Sequence, residues 1–401
     1  MAQRVVLAYS GGLDTSVAVH WLRVERGYEV VAVACDVGQG IEGVRERALA
    51  AGAVESIVVD AREELARDFV LPALQANVLY EGRYPLVSAL SRPVIVRHLV
   101  DAARQFGATA VAHGCTGKGN DQVRFEVGTR SLAPDLEIVA PVREWGMTRD
   151  DSIDYAIREN IPITATREKI YSIDENLWGR AVECGAMEDP WDAPPDDVYS
   201  LTVQTAIEPV EVTVGFESGV PVSLNGVPKP FLEVIEELGA LAGSTGFGRV
   251  DMVENRRVGI KSREVYEAPG ALALIAAHQD LEQLTLERDV AHEKLRLEPR
   301  FAEVVYDGLW FSPLREAISA FVSSTQRHVT GEVRMRFNPG GGMAIVGRKS
   351  PVALYDYGLA TYEAADTFRH EDAEGFVRVF GLGLQTWAAR QGADGKKRTT
   401  Q

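Results

Sequence analysis

Cysteine is scarce. Cys35, Cys115 and Cys184 are the only three in 401 residues, they lie far apart, and no C-x-x-C occurs. That excludes a disulfide framework or a thiolate zinc site, and it fits a reducing, cytoplasmic compartment. Positive charge is short as well: 42 Lys and Arg against 58 Asp and Glu leave a net charge of −16. An acidic chain grips the phosphate backbone of nucleic acid poorly, so no nucleic-acid partner is expected. No apolar run approaches the ~20 residues that cross a bilayer, and the first residues lack the basic-then-apolar order of a signal peptide. No membrane partner is therefore expected. Familiar catalytic signatures are missing too. There is no H-E-x-x-H and no G-x-S-x-G, and the first glycine turn has no lysine before its Ser/Thr, so it is not a Walker loop. The histidines (His20, His98, His113, His278, His292, His328 and His370) show no ligand spacing, and no metal-binding residue set is expected. Only His113, inside a glycine-rich loop, invites a functional reading, and support of the backbone accounts for it equally well.

What is present begins at once. Val5-Val6-Leu7 is a short apolar run, Ala8-Tyr9-Ser10-Gly11-Gly12-Leu13-Asp14-Thr15-Ser16 follows, and Val17, Ala18, Trp21 and Leu22 then recur at helical spacing. This reads as strand, glycine turn, helix. Paired glycines let the backbone turn tightly and aim several N–H groups at one point. Asp14, Thr15 and Ser16 are expected at the helix N-cap, with phosphate at the helix's positive end. A bare structural turn is the competing reading, and the full Ser-Gly-Gly-x-Asp-Thr-Ser run weighs against it.

Residues 1 to about 168 alternate strand-like and helix-like segments. Strands are expected at Val30–Ala34, Ile57–Val59 and Thr109–Ala112, and helices at Glu42–Ala51, Glu63–Gln75 and Arg92–Phe106. Continuous apolar strands between helices predict a parallel sheet covered on both faces, with ligands beyond the strands' carboxyl ends. The loop His113–Asp121 follows the fourth strand and falls at that same edge. Gly38-Gln39-Gly40-Ile41-Glu42-Gly43 matches the dinucleotide pattern G-x-G-x-x-G, but it follows the second strand, and a chain with 37 glycines yields such matches by chance. Beyond residue 168 the alternation stops. Tyr171–Gly185 is polar, Asn225-Gly226 signals a hairpin, Phe231–Leu241 and Ala271–Leu295 read as helices, and Val333–Phe337 with Met343–Val346 reads as a hairpin. The expected organisation is an α/β nucleotide-binding domain (1–168), a second α+β domain (169–362), and a C-terminal helix, Ala373–Arg390, with a polar, disordered tail (363–401). A detached terminal helix of this kind packs on another subunit.

Ser10-Gly11-Gly12-Leu13-Asp14-Thr15-Ser16 resembles the pyrophosphate loop of the ATP pyrophosphatases, whose members include asparagine, GMP and NAD synthetases and tRNA-modifying enzymes. Tyr84-Pro85-Leu86, the run Ala112–Phe125, Ser172-Ile173-Asp174-Glu175-Asn176-Leu177-Trp178, Asp251-Met252-Val253-Glu254-Asn255 and the run Gly259–Glu267 resemble the argininosuccinate synthase family, in the same order and over nearly the whole chain. The resemblance implies an adenine-nucleotide-α-hydrolase-like first domain and a second, synthetase domain. It implies AMP-forming ligation of citrulline and aspartate through citrullyl-AMP, with ATP as co-substrate, Mg2+ beside the polyphosphate, and a homotetramer. By the same resemblance Ala8, Tyr9, Ser10, Gly11, Gly12, Leu13, Asp14, Thr15, Ser16, Cys35 and Gly114 hold the nucleotide. Thr116, Asn120 and Asp121 hold aspartate, and Tyr84, Ser88, Arg124, Ser172, Ala181, Glu254 and Tyr266 surround citrulline, with Asn120 shared. Asp14, Ser16 and Asp121 are the expected catalytic residues. Ala181, Ala89 and Val142 depart from the family pattern, the first two at positions where relatives carry serine. Taken singly, Asn120 reads as a helix-start cap, Arg124 and Glu254 as a surface ion pair, and the tyrosines as core. The rival functions are another adenylating ATP pyrophosphatase and a non-catalytic nucleotide binder. The missing cysteine pair and acidic balance weigh against a tRNA thiolase.

Overall fold

The structure, a computed structural model, describes residues 3–163 and 171–391. Five parallel strands form the first sheet: β1 (Arg4–Ala8), β2 (Glu29–Asp36), β3 (Glu55–Asp60), β4 (Ala110–Ala112) and β5 (Glu137–Val139), in the order β3-β2-β1-β4-β5. Successive side chains on a strand point to opposite faces, and the central strands β1, β2 and β4 are apolar at nearly every position and buried on both faces, while the edge strands β3 and β5 are partly exposed. Val6, Ala8, Val31 and Val33 pack with the helical segment 62–75 and the helix Val87–Phe106. Val5, Leu7, Val30 and Ala32 pack on the other side with the helices Leu13–Val24, Val44–Ala50 and Arg149–Arg158. The expected α/β class with its parallel sheet is what the chain forms.

The later strands are antiparallel. One sheet runs β11 (Arg249–Asn255), β12 (Lys261–Glu267), β7 (Gly179–Glu183), β6 (Ser172–Asn176). Another runs β10 (Val227–Pro228), β9 (Val220–Leu224), β8 (Val210–Glu217), β13 (Gly331–Asn338), β14 (Gly342–Lys349). The hairpins expected at Asn225-Gly226 and across Asn338–Gly342 are present, with Asn225 and Gly226 both at positive φ, as a tight two-residue turn demands.

The β6–β7 hairpin is tied to the first sheet. Leu177 N donates to Val37 O at 2.7 Å, Asn176 Nδ2 to Val87 O at 2.7 Å and Trp178 Nε1 to Pro85 O at 2.8 Å. The G-x-G-x-x-G segment serves this junction. Gly38 has φ +112° and a Cβ there would stand 2.5 Å from Leu177 N, so glycine is required by the close approach of a backbone.

Two helix expectations need correction. The helix expected over 271–295 is two helices, Pro269–Thr285 and Arg288–Tyr306, because the Glu287 side chain accepts from Asp289 N and Val290 N and starts a new helix. The terminal helix is likewise two, His370–Phe380 and Leu382–Arg390, meeting at Gly381. Met1–Val352 forms one compact unit and Ala353–Gln401 a second. The expected boundary at 168 and the expected disordered tail over 392–401 lie outside the described residues. No helix among the described residues is long and apolar enough to cross a membrane.

Candidate active site

Two loops meet where the strand order of the first sheet reverses, between β1 and β4. Residues 9–12 leave β1, and residues 113–120 leave β4. The second loop packs on the first turn of the helix that follows the first: a Cβ on Gly114 would sit 3.0 Å from Thr15 Cγ2. In the first loop Gly11 has φ +77°, and a Cβ there would press on Arg47 Nη2 at 2.9 Å. The N-cap of the following helix is Gly12, with no side-chain cap, which corrects the expectation that Asp14, Thr15 or Ser16 fills that role. Ser10 Oγ instead accepts from Gly12 N at 3.3 Å and lies 3.2 Å from Thr15 Oγ1. The first N–H groups of a helix have no partner within it, so an uncapped, glycine-led start presents them, with the positive end of the helix dipole, to an anion.

Two cavities open on this edge. One, of about 520 Å³, is lined by Ala8, Tyr9, Ser10, Gly12, Thr15, Cys35 and Gly114, with apolar walls from Val33, Val37, Ile95 and Phe125. Burial pushes the Cys35 thiol up to about 12, so it is a neutral wall group. The other, of about 380 Å³, is lined by Ser10, Asp14, Tyr84, Ser88, Gly114, Thr116, Asn120, Asp121, Arg124, Ser172, Ala181, Glu254 and Tyr266. Ser10, Arg92, Gly114, Cys115, Asp121, Ile173 and Asp174 line both. Of the expected site residues, Gly11, Leu13 and Ser16 line neither. Leu13 packs in the core beneath the sheet. Ser16 is fully buried, with its Oγ 3.0 Å from the Tyr9 hydroxyl.

The smaller cavity is charged and strongly organised. Asp121 accepts from Arg92 Nη2 at 2.7 Å and from Arg124 Nη1 at 2.8 Å, and Arg92 reaches Asp174 at 2.6 Å. Burial opposes charge on Asp121, but the two guanidiniums outweigh it and hold the carboxyl down at about 2. Glu254 accepts from Tyr306 Oη at 2.6 Å and from Tyr266 Oη at 2.7 Å. Burial raises its pKa, and the two hydroxyls act in the opposite sense. Tyr84 stacks on Tyr266 at 4.0 Å between ring centroids and accepts from Ser88 N at 2.9 Å. Asn120 stands at a helix start without capping it. Its Nδ2 donates to Tyr306 Oη at 2.7 Å and its Oδ1 accepts from Arg257 N at 2.9 Å. Arg124 and Glu254 are buried at 6% and 3% exposure, which removes the surface ion-pair reading of both. Ala181 faces Tyr266 across the β7–β12 pairing, with a methyl where a hydroxyl would reach into the cavity.

Sequence reasoning missed Arg92, Asp174, Tyr306, Glu183, Arg256 and Glu264. Arg256 lies between the carboxylates of Glu183 and Glu264 and donates to both. Burial and the Glu183 charge push Glu264 up to about 8, against Arg256. Arg92 carried a readable signal: Ser88, Ser91 and Arg92 form a polar stripe at helical spacing in the otherwise apolar first half of the helix. His113 is buried, accepts from Cys115 N at 3.3 Å and stacks on Phe125, a support of its own loop. Among the described residues no cluster of His, Cys, Asp and Glu is arranged to hold a metal ion.

The first half of the site lies in a stretch, residues 4–162, that matches the family model described as "Arginosuccinate synthase N-terminal HUP domain". The second lies in residues 171–387, which match "Arginosuccinate synthase C-terminal domain".

Proposed function

The chain belongs to the argininosuccinate synthase family and ligates citrulline and aspartate in an ATP-dependent reaction of arginine biosynthesis, and we propose that it does so in two steps across the shared wall of its two cavities. In the first, the ureido oxygen of citrulline attacks the α phosphate of ATP, pyrophosphate leaves, and citrullyl-AMP remains. In the second, the aspartate ammonium releases a proton to solvent, the neutral amine attacks the activated ureido carbon, the C–O bond to AMP breaks, and AMP leaves as argininosuccinate forms. The observation that carries this reading is the shared lining, in which Ser10, Gly114 and Cys115 meet Asp121, Arg92, Asp174 and Ile173. A phosphate at the glycine turn and an amino acid in the smaller cavity would meet there.

In this reading Ala8, Tyr9, Cys35 and Gly114 lie along adenosine. The residue 10–15 turn gives its N–H and hydroxyl donors to the phosphates, a stabilisation that grows as pyrophosphate departs. Thr116, Asn120 and Asp121 take aspartate, and the ionised Asp121 suits its ammonium. Tyr84, Ser88, Arg124, Ser172, Glu254 and Tyr266 take citrulline. Magnesium would accompany the polyphosphate and offset its charge, without a dedicated protein ligand cluster among the described residues. Positioning and charge stabilisation carry the rate. Residues 1–168 supply the nucleotide side, and the amino-acid side is shared between that stretch, through Tyr84, Ser88, Thr116, Asn120, Asp121 and Arg124, and residues 169–362, through Ser172, Glu254 and Tyr266. Pyrophosphate release from ATP tests the reading: sustained release is expected only with citrulline and aspartate together. Turnover with tRNA or glutamine and none with citrulline would overturn it.

The expected cytoplasmic homotetramer belongs to the same reading. The helices His370–Phe380 and Leu382–Arg390 expose Phe376, Val379, Phe380, Leu384 and Trp387, an apolar face of the kind that subunit contacts cover. Sedimentation of the full chain should give a tetramer, and a chain ending at Val352 a smaller species. An unchanged mass would remove this role from the C-terminal unit.

A further inference from the structure

Away from both cavities lies a buried polar cluster that neither proposed step uses. His278, Glu282, Lys294, Glu298, Asn77 and Gln326 are between 0% and 8% exposed. His278 and Glu282 come from the helix Pro269–Thr285, Lys294 and Glu298 from the helix Arg288–Tyr306, Asn77 from the turn after residue 75, and Gln326 from the end of the helix Pro313–Thr325. Lys294 Nζ donates to Glu282 Oε2 at 3.0 Å and to Glu298 Oε1 at 2.8 Å. Asn77 Nδ2 donates to the same two oxygens, each at 2.7 Å. Gln326 Nε2 donates to Glu282 Oε1 at 2.8 Å.

These carboxylate contacts fix both amides, because turning either one over would set a carbonyl oxygen against a carboxylate oxygen. The amide oxygens that remain both face His278. Asn77 Oδ1 is 2.7 Å from Nδ1, and Gln326 Oε1 is 2.8 Å from Nε2. An amide oxygen only accepts, so each ring nitrogen has to donate, and a ring that donates twice is an imidazolium. The charge count agrees. Glu282 and Glu298 carry two negative charges, Lys294 supplies one positive, and His278 supplies the other. Burial, the largest influence, lowers the His278 pKa and Lys294 lowers it further, Glu282 and the Gln326 contact raise it, and the net direction is downward, against the hydrogen-bond geometry. Parity decides between these, since a neutral ring would leave two opposed lone pairs and a surplus carboxylate charge in the core. Phe216 is the ring packed against His278, at 5.9 Å between centroids.

The cluster supports two elements of the smaller cavity. Asn77, at φ +48°, starts the turn that leads to Tyr80 and Tyr84, which pair with each other as a β-bridge. The helix bearing Lys294 and Glu298 ends on Tyr306. The rings of Tyr80 and Tyr306 stack at 3.6 Å, and Tyr306 is the residue that bonds Glu254 and Asn120. We propose that His278 is an imidazolium completing a charge-neutral quartet with Glu282, Lys294 and Glu298, and that this quartet, through Asn77, positions the tyrosine wall of the amino-acid cavity. The second half rests on the proposed assignment of that cavity to citrulline.

Two measurements test it. Neutron diffraction on the wild-type chain at about pH 8, above the ordinary histidine pKa of ~6.5, should show a hydrogen isotope on both ring nitrogens of His278. A ring carrying one overturns the charge assignment. Asn77→Gly keeps the left-handed backbone and deletes the amide that ties the quartet to the turn, while all four charged side chains stay in the chain. We expect a KM for citrulline raised about tenfold with a KM for ATP within about twofold, the size that small misplacements produce. A merely destabilised enzyme would lose active molecules, and hence rate, at unchanged KM. A rise confined to aspartate would support the positioning role and overturn the citrulline assignment. Unchanged KM values for both amino acids would overturn the positioning role.

Discussion

Asp121→Asn should lower kcat/KM for aspartate by on the order of 10²–10³ and leave the citrulline-dependent burst of pyrophosphate within severalfold of wild type. Truncating one member of a buried, hydrogen-bonded charge pair costs about 2–5 kcal/mol, and each ~1.4 kcal/mol is a factor of ten. Asparagine matches the size of the carboxylate and keeps one acceptor oxygen, so the substitution removes charge rather than volume. The carboxylate is ionised at any working pH, since Arg92 and Arg124 hold it at about 2 against its burial. An incoming ammonium therefore meets a full negative charge whose position two guanidiniums already fix. Rapid-quench measurement separates the steps: one equivalent of pyrophosphate per site in the presence of citrulline, then slow turnover when aspartate is added. Loss of the burst would place Asp121 in the first step instead. A modest rise in the KM for citrulline is compatible with the prediction, because Arg124 loses a partner 2.8 Å away.

What the sequence made legible tracks where hydrophobic pattern and function coincide. β1, its glycine turn and the helix behind it form a local unit whose apolar residues mark the core and whose glycines mark the turn, and all three are visible in a window of twenty residues. The helix Asp121–Leu132 was invisible by the same logic. Its buried positions include Gln122, Arg124, Gly128 and Thr129, because that face meets Arg92 and Tyr306 and, at Gly128, the methyls of Val96. No apolar stripe exists to be read. The β6–β7 hairpin hid for a related reason: Ser172, Asp174 and Glu183 look into or beside a polar cavity, while Ile173 is half exposed. Motif resemblance supplied the stretches that pattern could not, and it named Asp121, Arg124 and Glu254. It missed Arg92, Tyr306 and Arg256, whose roles appear only when side chains far apart in sequence share a carboxylate. The break at Glu287 was locally legible, as an acidic cap followed by Asp289, but the amphipathic period running through it concealed the new start.

Glu267→Gln should destabilise the main unit by about 3–5 kcal/mol, the usual cost of breaking a buried ion pair from one side, and lower its thermal unfolding temperature by roughly 5–10 °C. Glu267 is fully buried at the end of β12. Oε1 accepts from Ser200 N, Leu201 N and Thr202 N, each at 2.9 Å, and from Thr202 Oγ1 at 2.7 Å. Oε2 accepts from Arg180 Nη1 at 2.8 Å. Every group around the carboxylate donates. A glutamine must turn its NH2 either toward the backbone N–H groups of 200–202 or toward the guanidinium, so one end always opposes donor to donor. Neither orientation restores the charge that Arg180, itself 7% exposed, faces; its other partners are the neutral Val198 O at 2.5 Å and the Glu175 carboxylate at 3.6 Å. Thr202→Val deletes one hydroxyl, which donates to Glu267 and accepts from Arg249 Nε at 2.9 Å, and leaves the carboxylate, so it should cost only about 1–2 kcal/mol. The comparison isolates the charge: if the two variants unfold at the same temperature, the carboxylate contributes no more than one ordinary hydrogen bond. Tyr266 precedes Glu267 and lines the cavity, while alternation along the strand sends Glu267 to the opposite face. The folded fraction of Glu267→Gln should therefore keep a near-normal KM for citrulline, so that the loss appears as stability and not as binding.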